Sequence, residues 1–223
     1  MTAQNKPERQ SSFAELQQTL AKRWPESCRR PLDSRELIFS SGIPALDRLF
    51  PAGGIPYGQM IELTGGGSSG KTSLLILLLA AITRGKGTAA YVDYSRSFFP
   101  DSAVAGGVDL DRLLVVLPRQ PLEGVRTAEM LLDHRLVRAV AFDLVGVSEP
   151  FQFTLIHRLR TKTTRAKALV IFLTEQETTL LPTSSVSLRL EISRRDRKTL
   201  IVTVAKSRLS LEGITTEVVI DGN

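Results

Sequence analysis

The sequence predicts an α/β fold: a mostly parallel sheet flanked by helices, with antiparallel additions near the C-terminus and one helix ahead of the domain. Three observations carry this. Apolar runs alternate with helical patterns between residues 60 and 174, as parallel strands covered on both faces do. Alternating apolar and polar residues follow at 187–192, 200–205 and 217–220, the pattern of half-buried strands. Between the first apolar strand and the first apolar helix stands Gly65-Gly66-Gly67-Ser68-Ser69-Gly70-Lys71-Thr72, a phosphate-binding loop pattern in its strand–loop–helix setting.

Taken in order, residues 1–10 are polar and expected to be disordered. Residues 11–36 read as a helix and a linker. Ser11 or Ser12 caps the helix, Phe13, Leu16, Leu20 and Trp24 line one face, and Pro25 ends it. That stripe docks either on the protein's own core or on a partner. Residues 37–223 form the main domain. A short helix near 44–50 leads through Gly53-Gly54 and Tyr57-Gly58 into the strand at 60–64. The apolar helix from Ser73 closes at Gly85-Lys86-Gly87. Strands at 88–93 and 113–117 follow, then a helix near 122–134 and a strand, 137–143, ending in Asp143. Phe151, Leu155 and Leu159 mark a helix carrying Arg158, Arg160, Lys162 and Arg165. The strand at 168–174 completes the alternating part.

Length and composition fit one domain with a tail: 223 residues, 42% of them hydrophobic. The longest apolar run, Leu74–Ile82, is too short to cross a bilayer, which takes about 20 residues. The N-terminus lacks the apolar core of a signal peptide. One cysteine, Cys28, makes no internal disulfide and no zinc site alone. A cytoplasmic protein without membrane attachment is expected. The formal net charge is +6. The excess sits late: residues 156–210 hold twelve Lys and Arg against four acidic residues. Such a surface fits nucleic acid, an acidic partner, or simply a solvated face.

The loop's chemistry follows from its residue types. Glycines let successive N–H groups turn toward one point, and the helix adds its positive end. Gly65, Gly66, Gly67, Ser68, Ser69, Gly70, Lys71, Thr72 and Ser73 are therefore the candidate nucleotide-binding residues, with Asp143. Lys71 supplies a point charge to outer phosphates. The Thr72 hydroxyl and the Asp143 carboxylate are the candidate Mg²⁺ ligands, so ATP/Mg²⁺ is the cofactor expected. The competing readings are a chance glycine turn and, for Asp143, a strand-end cap.

With these segments placed, the chain resembles the core ATPase domain of the RecA recombinase family from about Phe39 onward. The resemblance rests on Ser41-Gly42-Ile43-Pro44-Ala45-Leu46-Asp47, Gly53-Gly54-Ile55-Pro56-Tyr57-Gly58, Ser68-Ser69-Gly70-Lys71-Thr72, Gly107-Val108-Asp109-Leu110-Asp111 and Lys206-Ser207-Arg208. It implies that Asp143 is the Walker B aspartate. It also implies that Lys206 and Arg208 reach a neighbouring subunit's phosphates. Other family positions are altered. The water-activating glutamate is replaced by Ser95, which cannot take up a proton at neutral pH; Asp93 or Asp101 are the substitutes in reach. Phe99 and Ser102 stand where the family's acidic and aromatic adenine contacts belong, and Phe98 or Phe99 remain able to stack on a base. Leu144 replaces a small hydroxyl residue. The γ-phosphate sensor glutamine aligns with Glu175, one step from Gln176. The two DNA-gripping loops and the C-terminal domain of the recombinases are missing.

This combination is similar to ImuA-type proteins, RecA-related accessory factors of damage-induced (SOS) translesion synthesis. That resemblance implies a scaffold for DNA repair and mutagenesis with weak or lost ATP hydrolysis. Its partners would be RecA or the translesion polymerase complex, an ImuB-like polymerase homologue with a second replicative-type polymerase. Phe13, Leu16, Leu20 and Trp24 are the partner-binding candidates. The alternatives are an active ATPase that switches assembly with ATP, a SulA-like cell-division inhibitor, and a DNA-binding protein using the basic C-terminal third.

Overall fold

The computed structural model describes residues 38–175, 180–182 and 184–220. The chain separates into Met1–Leu37 and Ile38–Asn223, and everything described belongs to the second unit. The expected helix with Phe13, Leu16, Leu20 and Trp24, its linker, Cys28 and Gln176 lie outside the described residues.

Strand β3 (Met60–Gly65) is buried along its whole length, as a Met-Ile-Glu-Leu-Thr-Gly strand must be when both neighbours and both faces are covered. It lies inside an eight-stranded sheet with β4 (Ala89–Asp93), β5 (Leu113–Val116), β6 (Ala139–Asp143), β7 (Leu169–Glu175), β8 (Leu188–Arg194), β9 (Thr199–Ser207) and β10 (Thr215–Val219), in the order β10-β9-β8-β3-β7-β6-β4-β5. A two-stranded ladder, β1 (Ile38–Phe39) with β2 (Ile55–Pro56), precedes it.

Helices cover both faces. Helix α1 (Pro44–Asp47), α2 (Lys71–Arg84) and α3 (Pro100–Ala105) pack on one side, around Leu46, Leu74, Leu78 and Ala103. Helix α4 (Pro121–Asp133) and α5 (Phe153–Ala166) pack on the other, around Val125, Leu132, Ile156 and Leu159. Each long helix starts where the sequence offers a reason. Pro121 occupies the first turn of α4, where no N–H is needed, and the apolar stripe of α5 repeats at three and four. Two ion pairs, Glu129–Arg158 and Asp133–Lys162, bridge α4 and α5.

The boundaries differ modestly from expectation. The short helix ends at Asp47, because Asp47 turns back to accept bonds from Ser40 Oγ (2.6 Å), Ser41 N (2.9 Å) and Ser41 Oγ (2.7 Å). Helix α3 and strands β1 and β2 are too short to leave a periodic signal. Of the three tail strands, only β9 and β10 make antiparallel pairs alone. Strand β8 pairs parallel with β3 and antiparallel with β9. Alternation reports that one face of β8 is buried; it carries no information on strand direction.

The topology fixes where a ligand can sit. Strand β3 is flanked by β7 and β8, while its own crossover through α2 leads to β4, on the far side of β7 and β6. The strand order reverses there, opening a crevice at the C-terminal strand ends. Gly65, Asp93, Asp143 and Glu175 are all terminal residues of their strands at that edge.

Candidate phosphate-binding site

The glycine loop leaves β3 at Gly65 and enters α2 at Lys71. Two of its residues adopt left-handed backbone, Ser68 (φ 60°) and Gly70 (φ 89°). Two side chains also approach Gly70 closely. A Cβ there would lie 2.4 Å from Leu200 Cδ2 and 3.1 Å from an Arg194 guanidinium nitrogen. The N-cap of α2 is this glycine, and no side chain caps the helix. The first-turn N–H groups and the positive end of a 14-residue helix therefore face the loop.

Lys71 is buried at 6% exposure. Its ammonium donates to Gly65 O (2.9 Å) and Gly66 O (3.1 Å). Thr72 is exposed at the helix start, and Ser73 is half-buried. The Ser69 hydroxyl is buried without a hydrogen-bond partner among the described residues. Glu175 is the parallel partner of Gly65, and its carbonyl accepts from Thr64 Oγ1 (3.0 Å). A carboxylate thus stands at the expected sensor position, on the strand end beside the loop.

Across the crevice, Asp93 and Asp143 are register partners on β4 and β6. Both carboxylates are held by neutral donors. Asp143 Oδ2 accepts from Tyr91 Oη (2.9 Å), Ser97 Oγ (3.1 Å) and Ser95 Oγ (3.3 Å), and Oδ1 accepts from Val145 N (3.1 Å). Asp93 Oδ1 accepts from Ser95 Oγ (3.1 Å) and Ser97 N (3.2 Å), and Oδ2 from Phe98 N (2.9 Å). The Ser95 and Ser97 hydroxyls are 2.7 Å apart. Each hydroxyl has one proton to give, so Ser95 and Ser97 share theirs between two buried carboxylates. Ser95 is thereby engaged in holding Asp93 and Asp143 in place.

Burial, and then the charge and hydrogen bond of Asp143, push the Tyr91 hydroxyl far above its usual range. Tyr91 therefore stays a donor to Asp143. Its folded value is raised, so its contribution to stability is intact below the ordinary value of 10.0 and is lost as pH climbs above it. There the unfolded chain releases a proton that the folded chain keeps. We expect stability to fall by about 1.4 kcal/mol per pH unit for this group. Tyr94, also pushed up by burial, adds a second such slope. Urea midpoints compared between neutral pH and about pH 11 for wild type and Tyr91→Phe should show a shallower alkaline loss in the variant.

Beside the loop lies a cleft of about 320 Å³ between α2, α3 and the β8–β9 hairpin, lined by Ser73, Ile76, Leu77, Ser102, Arg194 and Arg197 among others. Ser102 faces this cleft. Phe98 packs on Tyr91 with ring centroids 5.0 Å apart, whereas Phe99 is exposed. Asp101 is exposed at the start of α3.

The structure brings Gly65–Ser73, Asp93, Asp143, Ser95 and Glu175 to one crevice. It does not bring Lys206 and Arg208 there. Lys206 is level with Arg189, which pairs with Glu62 in register. The Arg208 guanidinium donates to Ser184 O (3.0 Å). Burial, with Arg208 and Arg189 nearby, lowers the Lys206 ammonium below its usual value. The sequence does not single out Tyr91 and Ser97, and it offers Arg194 only within the basic 194–198 cluster. Tyr91 and Ser97 sit beside known strand-end positions, but their hydroxyls meet Asp143 only through the β4–β6 pairing. For Arg194 the only sequence signal was membership of a basic cluster.

The family model for the RecA N-terminal domain matches residues 32–152. RecA of Limosilactobacillus reuteri is 36% identical over 118 residues, which is 53% of this chain and 33% of that protein. RecA of Lactococcus lactis subsp. cremoris is 37% identical over 113 residues, 51% of this chain and 29% of that protein. RecA of Lactobacillus delbrueckii subsp. bulgaricus is 34% identical over 119 residues, 53% of this chain and 36% of that protein. The chain spans about a third of the length of these relatives.

Proposed function

Because the chain belongs to the RecA N-terminal domain family, we propose that it is a RecA-like accessory protein that binds a nucleotide and hydrolyses it slowly or not at all. The observation that carries this reading is the contrast between the two sides of the crevice. On one side the glycine loop, Lys71 and Thr72 form a cradle suited to phosphates. Asp143, at the opposing strand end, suits Mg²⁺ through water. The orphaned Ser69 hydroxyl fits a loop whose polar groups serve something beyond the protein's own structure.

On the other side, the described residues offer no poised base. Ser95 is occupied by Asp93 and Asp143. Asp93 is 1% exposed and already accepts three hydrogen bonds. Asp101 begins a helix that faces solvent. Phosphoryl transfer to water depends on positioning the attacking water, and this arrangement lacks the group that would do so. Glu175 beside the loop would repel an outer phosphate rather than sense it.

The biological setting we propose is the ImuA-type one: support of damage-induced translesion synthesis through contacts with RecA or the polymerase complex. The loss of hydrolytic groups from a retained RecA-like fold supports it. The proposed organisation is a terminal partner-binding segment, residues 11–36, ahead of the core at 37–223. DNA binding through α5 is less favoured, because Arg158 and Lys162 are paired with Glu129 and Asp133.

Titration with a fluorescent ATP analogue tests the reading. Wild type should bind, and Lys71→Ala should lose roughly 100-fold in affinity, since it removes a buried charge from the cradle. Single-turnover measurements should show no conversion of bound ATP over minutes. Absence of binding to wild type sinks the nucleotide part of the proposal; rapid turnover favours the active ATPase instead. Capture of RecA or of the polymerase complex by full-length protein, lost with Leu16→Ala and Trp24→Ala, tests the partner part.

A further inference from the structure

We propose that Arg194 is a cis-acting phosphate-binding residue, presented to the glycine loop by the β8–β9 hairpin; this rests on the reading of that loop as a nucleotide site. Arg194 ends β8. Its Nε donates to Ser68 O (3.1 Å), at the crest of the loop. Its Nη1 donates to Arg197 O (3.1 Å), across the hairpin turn. The same side chain lines the adjoining cleft with Ser73 and Ser102. One guanidinium therefore spans the junction between the phosphate cradle and the cleft.

Positive charge gathers at this junction, with the carboxylates of Asp93 and Asp143 on the far side of the crevice. Lys71 and Arg194 both lie at the positive end of α2, and both donate to carbonyl oxygens. The neighbouring cation, Arg195, is paired with Glu217 instead. Two cations and a helix N-terminus repel one another until an anion joins them. A polyphosphate is the anion this loop is shaped for. A guanidinium, with its planar set of donors, suits phosphate oxygens and keeps nitrogen–hydrogen groups to spare after two bonds to carbonyls.

The hairpin is built to deliver the side chain. Asp196 Oδ1 accepts from Lys198 N (2.8 Å) and Thr199 N (2.8 Å), which tightens the turn. The missing side chain at Gly70 lets Leu200 and Arg194 approach the start of α2. Arg197 also lines the cleft, but the arginine bonded to the loop itself is Arg194.

The test is titration of fluorescent ADP and ATP analogues into the full-length protein, with Arg194→Gln and Arg194→Lys. Glutamine keeps an amide donor for the Ser68 carbonyl but removes the charge. Arg194→Gln should bind both nucleotides at least tenfold more weakly, as expected for losing a charge-assisted hydrogen bond. It should also show a flatter dependence of affinity on salt, with an unchanged melting temperature in the absence of nucleotide. Arg194→Lys should recover part of the affinity. Wild-type affinity and salt dependence in Arg194→Gln, with binding still lost in Lys71→Ala, overturn the inference and leave the nucleotide site standing. A fall in nucleotide-free melting temperature with unchanged affinity also overturns it, making Arg194 a structural latch. No binding to wild type overturns the nucleotide site itself.

Discussion

Phe142→Ala is expected to destabilise the domain by about 3–5 kcal/mol, the usual cost of removing a large aromatic side chain from a packed core. Phe142 is 0% exposed and immediately precedes Asp143, the last residue of β6. Its ring stacks on Phe172 of β7, with centroids 5.2 Å apart and planes at 23°. It also lies parallel to Tyr94, with centroids 6.5 Å apart. Tyr94 in turn is tied to the start of α4 by a bond from its hydroxyl to Pro121 O (2.7 Å). The cavity would therefore open between β4, β6, β7 and α4, where well-packed strands cannot collapse to fill it. Urea denaturation should show the midpoint fall with an unchanged slope. Leu114→Ala, at a 45% exposed position on edge strand β5, should change stability by less than about 0.5 kcal/mol and serves as the contrast. Because Phe142 precedes Asp143, the variant should also weaken nucleotide binding, while Leu114→Ala leaves it alone.

Arg189→Ala should cost about 3 kcal/mol, near the low end for breaking a buried ion pair. Glu62 is 3% exposed in β3, a strand buried along its whole length. Its carboxylate accepts from Arg189 Nε (2.8 Å) and Thr174 Oγ1 (3.0 Å). Removing Arg189 leaves the buried carboxylate with the Thr174 hydroxyl and the more distant Lys206 ammonium. The low end applies because Arg189 keeps 27% side-chain exposure, so water reaches the pair from that side. Glu62→Gln in the Arg189→Ala background should recover most of the loss, because a neutral amide no longer needs a counter-charge. Equal stability of the single and double variants, measured by urea midpoint, would show that the pair is not what holds Glu62.

The sequence by itself determined the class of fold and the cradle. Glycines at 65, 66, 67 and 70, followed by Lys71 and an apolar helix, specify a loop between strand and helix whatever surrounds them, because backbone freedom and helix polarity are local properties. A serine at position 95, where the resemblance places a glutamate, was also legible, since it is a matter of residue type. The direction of β8, the burial of Glu62 against Arg189 and the place of Arg194 were not legible. Each depends on which strand lies beside which, and strand neighbours far apart in sequence leave no mark in a local pattern. The same holds for Asp93 and Asp143. Their identities were plain, but the hydroxyls of Tyr91, Ser95 and Ser97 meet them only after β4 and β6 align. Tertiary structure thus decided how these residues are arranged: pairing of distant strands joined Asp93, Asp143 and three hydroxyls in one hydrogen-bond network, and brought a distant arginine to the loop.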